Sequence, residues 1–309
     1  MSRRPAADGA GRSEMRGSSG KQRTVRSGRP RTDVPETAGR HDTARAARAD
    51  RAATARSGRP GAPGRATGTY VYGIIPSDVE LTPGTRGVGD PPNTVELVPH
   101  GEIAALVSDV STERPLGRPD DLMAHERLLD ATAAEVPVLP LRFGAVVTDT
   151  RAVVDELLAP HHDEFLATLN ELEGRAEYVV KGRYVEQAVL REVLDEDPEI
   201  ARLRDAIRGQ PEEVTWDARM RLGELVNMSI AARREADTGA LVDAFDPLCV
   251  SIVVREPTHE QDAAHVALLA DTDRRPEIEE ALDEFRTRWA GRVELRLLGP
   301  LAPYDFVRT

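Results

Sequence analysis

"AEYVVKGRY", Ala176 to Tyr184, is the stretch on which the fold turns. Two valines between two tyrosines read as a strand. It begins just after Gly174, which closes a long helical stretch, and it opens a second rhythm of elements. Helices follow over about 184–195, 198–208 and 213–236, with Asp197 and Pro198 marking a clean helix start. "PLCVSIVV" then reads as a strand with Leu248, Val250, Ile252 and Val254 on one face, and "AHVALLA" as another. The next helix has the best stripe in the chain: Ile278, Leu282, Phe285 and Trp289, at i, i+4, i+7 and i+11. Gly291 caps it and "VELRL" closes with alternation. The order is β, helices, β, β, α, β, the split βαβ pattern of a ferredoxin-like sheet with an enlarged first crossover.

The preceding half repeats the idea with its first helix replaced by a loop. "TYVYGII", Thr69 to Ile75, is a strand, followed by a Pro- and Gly-rich loop to about Asn93. "TVELV" and "IAALVSDV" are strands around a turn at His100 and Gly101. Asp120 is the expected N-cap of a helix over "DLMAHERLLDATAAE". "VPVLPLRFGAVV", Val136 to Val147, cannot be one helix, because Pro137 and Pro140 interrupt it. A longer helix runs from Asp149 or Thr150 to Leu172, with Val154, Leu158, Phe165, Leu169 and Leu172 on its apolar side, and Pro160 should kink or split it.

These readings predict an α+β fold: two ferredoxin-like domains, antiparallel sheets with packed helices, and extra helices between them. The domains span 68–173 and 174–309. Residues 1–67 form a basic, Gly-, Ser-, Pro- and Arg-rich tail. Residues 1–66 hold 15 Arg and one Lys against 6 Asp or Glu, a net of +10, which leaves a net of −22 on the remainder of the 309-residue chain. Almost free of large apolar residues, the tail cannot bury enough surface to offset its ordering entropy and is expected to be disordered.

Composition excludes several classes. The single cysteine, Cys249, rules out an internal disulfide framework and a thiolate zinc cluster, and suits a cytoplasmic compartment. No apolar run approaches about 18 residues, so no membrane helix is expected. The N-terminus carries charge without an apolar h-region, which predicts no secretory signal. The acidic body argues against a nucleic-acid function for the whole chain, although the basic tail keeps a nucleic-acid-binding module as the alternative reading.

The search for chemistry is mostly negative. "HERLL" at His125 is half a zinc-protease signature, but Leu129 stands where the second histidine is needed. His125 instead falls on the Leu122–Leu129 face of its helix, as a hydrogen-bonded, partly buried side chain would. His161 and His162 are adjacent and diverge by about 100° on a helix, so they do not chelate one metal well. Cys249 reads as a small core hydrophobe. Lys181 and Arg183 flank Gly182 and could hold an anion, although a strand-end basic pair is more often solvent-facing. No catalytic constellation, metal site or cofactor site is expected, and no small-molecule substrate.

"YVYGI", "HERLLDATAAEVPVLPLRFGAVV", "EYVVKGRY" and the ending "GPLAPYDFV", Gly299 to Val307, together resemble the gas vesicle protein F/L family over about residues 69–308. The resemblance implies two α+β domains and a non-enzymatic role in building gas vesicles, the hollow protein shells that give cells buoyancy. It implies as partners the small, very hydrophobic shell subunit and other gas vesicle accessory proteins, at the gas vesicle in the cytoplasm. On this reading Arg142, Phe143, Gly144, Lys181, Arg183, Tyr304 and Phe306 are the candidate partner-binding residues. Arg142, alone among Leu139, Leu141 and Phe143, is expected to pair with a carboxylate of the same fold or with a charge on the shell subunit, since arginine and aromatic side chains anchor interfaces.

Overall fold

A computed structural model describes residues 23–25, 67–113 and 116–307. The first unit is built on strands β1 (Thr67–Pro76), β2 (Val79–Leu81), β3 (Glu96–His100) and β4 (Ile103–Ser111), helix α1 (Pro119–Ala133), and the two-residue strands β5 (Leu139–Pro140) and β6 (Val146–Val147). Its sheet runs β3-β4-β1-β5, antiparallel throughout, with β6 also on β1. A helical turn at Thr150–Ala152 widens into a π-helical stretch, Val153–Leu158, before helix α2 (His162–Glu171). The expected split near Pro160 is therefore present. Asp149 caps the start, accepting from the Arg151 and Ala152 amides at 2.9 Å each.

The second unit has β7 (Arg175–Tyr184), α3 (Glu186–Glu196), α4 (Pro198–Ile207), α5 (Glu212–Phe245), β8 (Ser251–Val254), β9 (Asp262–Asp271), α6 (Arg275–Arg288) and β10 (Val293–Leu301). Its sheet is ordered β10-β7-β9-β8. Both β7 and β8 run antiparallel to β9, so they are parallel to each other and joined through the helices. Numbered within its unit, this order is 4-1-3-2. The main strands of the first sheet, β3-β4-β1-β5, give the same order read from the other end. Both sheets are thus compatible with the ferredoxin-like expectation.

Four features differ from the sequence reading. The loop expected to run to about Asn93 contains the short strand β2. Helix α1 starts at Pro119, one residue before the expected cap, and Asp121 turns back to accept from the Arg118 amide at 3.4 Å and the Gly89 amide at 3.3 Å. Helix α5 continues nine residues past the expected end at 236, through Gly239, because Leu241 and Phe245 become fully buried and outweigh the cost of a mid-helix glycine. The "PLCVSIVV" strand is only Ser251–Val254, since Asp246–Leu248 forms a 3₁₀ turn, and Val250 and Val254 stay exposed at the sheet edge. The disorder expected of residues 1–67 falls almost wholly outside the described residues. The exceptions are Thr67, which starts β1, and a three-residue strand, Arg23–Val25, which pairs in parallel with β2.

The first sheet is covered on both faces. Tyr70, Tyr72, Ile75, Ala104 and Leu106 pack beneath α1 on one face, and Val71, Ile74, Ile103 and Ala105 meet Val153, Leu158, Phe165 and Leu169 on the other. Each fully buried aliphatic or aromatic side chain contributes about 1.5–3 kcal/mol. The second sheet receives α5 and α6 on one face only, where Tyr178, Val180, Leu268 and Leu295 meet Leu241, Phe245, Ile278, Leu282, Phe285 and Trp289. The best stripe in the sequence is therefore core, as its spacing predicts. No helix among the described residues is long and apolar enough to cross a membrane.

Candidate partner-binding surface

The chain is poor in aromatic side chains, at 4%, yet three of its five tyrosines meet around one histidine. Helix α1 directs His125 into the first core, where it is 1% exposed. Its Nδ1 lies 2.9 Å from Tyr70 Oη and its Nε2 lies 2.9 Å from Tyr304 Oη. Tyr72 stacks on the imidazole at 5.7 Å, and Phe143 meets it edge-on at 5.6 Å. A neutral imidazole donates from one nitrogen and accepts on the other, so both are satisfied. Burial holds its pKa down to about 4, against the Leu141 carbonyl, which raises it. Burial also raises the Tyr70 and Tyr304 hydroxyls above their ordinary value. With no exposed edge, this histidine organises a core and reaches no reactant.

Tyr304 arrives from the far end of the sequence. After Leu298 the β10–β7 register shifts, and Gly299, at φ +129° with a would-be Cβ 2.8 Å from the Tyr178 ring, admits the close crossing. The next residues form a strap between the two units. The Ala302 amide donates to Asp130 of α1 at 3.0 Å, and the Asp305 amide donates to Glu177 of β7 at 3.1 Å. Arg255 binds Glu177 at 2.7 Å and Asp305 at 2.5 Å, and its third nitrogen sits 3.1 Å from His265. Glu177 is 1% exposed. Burial pushes its carboxyl up to about 7, against the Asp305 amide bond and the Arg255 charge.

The candidate residues divide into three groups. Phe143, Gly144 and Tyr304 belong to the histidine cluster, and Gly144, at φ +96°, turns its amide onto Tyr70 Oη at 3.1 Å. Arg142 is exposed beside them, with no side-chain hydrogen bond or ion pair among the described residues. The internal carboxylate pair expected of it is not formed, because the tight turn through Gly144 points the residue to solvent rather than into the core. Lys181 and Arg183 are exposed on the second sheet's other face, where Arg183 binds the Gln261 side chain. Phe306 is half-buried in the turn that ends the strap, and Val307 packs onto the first unit's second core. Sequence reasoning missed Glu177, Arg255 and Asp305. Glu177 offered one signal, the only acid in its strand and beside the apolar Tyr178–Val180 run, but its partners lie 78 and 128 residues away.

The face of the second sheet away from α5 and α6 has its own pattern. Arg296, Lys181 and His265 are direct cross-strand neighbours, forming a basic row across β10, β7 and β9. The next row is apolar: Leu298, Val179 and Ala267, with Leu298 40% exposed. Val179 and Ala267 are buried, so the cationic row borders one accessible apolar side chain, Leu298. Among the described residues no group of three or more His, Cys, Asp or Glu side chains could hold a metal ion. Cys249 is half-buried, donates to the Phe245 carbonyl at 3.0 Å, and has its thiol pushed up to about 11 by burial, opposite to the shift a nucleophile needs.

Residues 68–308 match the family model described as gas vesicle synthesis protein GvpL/GvpF. Gas vesicle protein F of Streptomyces sp. (strain CB03234) is 35% identical over 243 residues, covering 77% of this chain and 99% of that protein. Gas vesicle protein F of Dolichospermum flosaquae is 26% identical over 241 residues, covering 77% and 97%. Among solved structures, gas vesicle protein GvpF from Anabaena sp. PCC7120 superposes with a TM-score of 0.65 at 25% identity, covering 79% of this chain and 99% of that one.

Proposed function

Because the chain belongs to the gas vesicle synthesis protein GvpL/GvpF family, its role is tied to the gas vesicle, and we propose that it acts there by binding the hydrophobic shell subunit for assembly. The observation that carries this reading is the uncovered end of the second sheet, where the Arg296–Lys181–His265 row borders Leu298. A shell subunit with a water-excluding face needs an apolar contact, and charged neighbours fix its register. The exposed Arg142 turn is a second contact point, and the −22 body keeps the complex in solution. In this reading residues 68–173 and 174–309 are two domains held as one by the strap. The protein works in the cytoplasm beside other gas vesicle accessory proteins, by binding and not by catalysis.

The nucleic-acid alternative gains little from this face. The face that would meet a base, with Lys181, Arg183, His265, Arg296 and Leu298, offers no Phe, Tyr or Trp among these residues on which to stack it. Co-expression of the chain with the shell subunit, followed by pull-down, tests the proposal. Capture is expected, and Lys181→Glu with Arg296→Glu should abolish it without changing the melting temperature. No capture by the full chain overturns the proposal.

A further inference from the structure

Helix α5 is 34 residues long, about 51 Å at 1.5 Å per residue. One stripe runs its whole length: Trp216, Met220, Gly223, Asn227, Ala231, Arg234, Thr238, Leu241 and Phe245, spaced by three or four residues. Past Arg234 the stripe lies on the second sheet, and Leu241 and Phe245 are fully buried. Before Arg234 the same stripe overhangs and is bare. Trp216, one of two tryptophans in the chain, is 60% exposed, Met220 is 52% exposed, and Gly223, Asn227 and Ala231 are exposed with them. A 780 Å³ groove flanks this bare half, walled by Val189 and Leu190 of α3 and Val226 and Ile230 of α5. An exposed tryptophan and methionine in register along a helix mark an interaction surface rather than scattered surface apolarity.

We propose that the bare half of α5 is a homodimer interface, in which a second copy of this chain lays its own α5 antiparallel across it. The stripe is self-complementary in that direction. With Gly223 near the two-fold axis, Trp216 of each copy falls over Ala231 of the other and Met220 falls beside Asn227. Large meets small twice, and the glycine admits close approach of the backbones at the crossing. The charges agree. Glu212, Glu213 and Asp217, at the N-terminal end, hold no ion pair among the described residues. At the other end Arg234 bonds only carbonyl oxygens, of Asp262 at 2.6 Å and Glu260 at 2.8 Å, which leaves its charge uncompensated. Glu235 points about 100° away from Arg234 around the helix. Antiparallel pairing brings Glu213 to Arg234, whereas parallel pairing sets the acidic ends together. The bare stripe is about 22 Å long, which places the contact at the low end of stable interfaces, about 1,200 Å². The dimer is therefore concentration-dependent.

Sedimentation equilibrium of the full chain over a wide concentration range tests this. A monomer–dimer equilibrium is expected, with Trp216→Ala weakening it about thirtyfold, as for a tryptophan anchor at each end of the contact, and Gly223→Arg abolishing it. Both positions are exposed, so thermal unfolding of the variants should match the parent. The direction is read by oxidation in a Cys249→Ser background. Met220→Cys with Asn227→Cys should yield a covalent dimer, while neither single variant does, since a within-helix pair seven residues apart cannot bridge. A chain that stays monomeric throughout, a dimer that neither Trp216→Ala nor Gly223→Arg weakens, or a cross-link in either single cysteine variant overturns the proposal.

Discussion

The two sheets share one strand order and differ in what covers them. In the first, β1 is buried from Gly68 to Ile75, because α1 closes one face and the π-helical stretch with α2 closes the other. In the second, the equivalent central strand, β7, is buried on both faces to Val180; beyond it Gly182 and Tyr184 stay buried while Lys181 and Arg183 emerge on the other face. Helices protect one face of that sheet, and the C-terminal strap protects part of the other. The same topology thus yields a closed unit and a more open one, and the exposed basic row and the bare stripe of α5 both belong to the open one. The strap between them is where the two behaviours meet.

The sharpest way to break this comparison is to empty the open unit's single core. Trp289→Ala removes the end of the α6 stripe and should cost about 3–5 kcal/mol, read by denaturant unfolding. A variant that keeps full stability would show that the second unit does not depend on its one helical layer. Arg255→Ala comes next. It strands Glu177, 1% exposed, without its cation, at about 3 kcal/mol. Loosened packing of the strap should appear as faster amide exchange at Asp305, and unchanged exchange there would remove the strap as the coupling element.

Titration sharpens the contrast from both sides of the strap. Glu177 has its folded pKa raised from 4.5 to about 7, so its contribution is fully present below pH 4.5 and is lost as pH rises through 7. His125 has its folded pKa lowered from 6.5 to about 4, so its contribution is present above 6.5 and is lost as pH falls through 4. Between pH 4.5 and 6.5 the two oppose each other. Glu177→Gln should therefore steepen the rise of stability with pH, and His125→Gln should flatten or reverse it. Unfolding free energies measured across that range decide the point, and slopes that move together would contradict the assignment. Tyr304→Phe should cost about 1 kcal/mol, the value of one hydrogen bond to His125. The smallest effect is expected at Arg142. Exposed and unpaired among the described residues, it should tolerate Lys within about 0.5 kcal/mol. A larger loss would mean that the guanidinium has a partner in solution.

Much of this architecture was legible from periodicity. The α6 stripe, the split at Pro160, the Asp197 cap and the β-helices-β-β-α-β order all follow from residues a few positions apart, where backbone geometry dictates which side chains share a face. The candidate site was legible only in part. Phe143, Gly144 and Tyr304 were marked by the motifs that carry the family resemblance, but their meeting around His125 was not legible. Arg142 was expected to pair with a carboxylate of the fold or a charge on the shell subunit; the internal pair is not formed, and the residue faces water.

Sequence by itself determined most of the elements, the acidic body against a basic N-terminus, and the family, because each rests on local pattern or composition. Only the tertiary structure decided that residues 299–307 close the first unit although they follow the second in the chain. It alone joined Glu177 to Arg255 and Asp305, and showed that the α5 stripe outruns the sheet that buries its other half. The reason is that burial depends on which surfaces meet across more than a hundred residues, and no periodicity along the chain records what an apolar stripe will find opposite it.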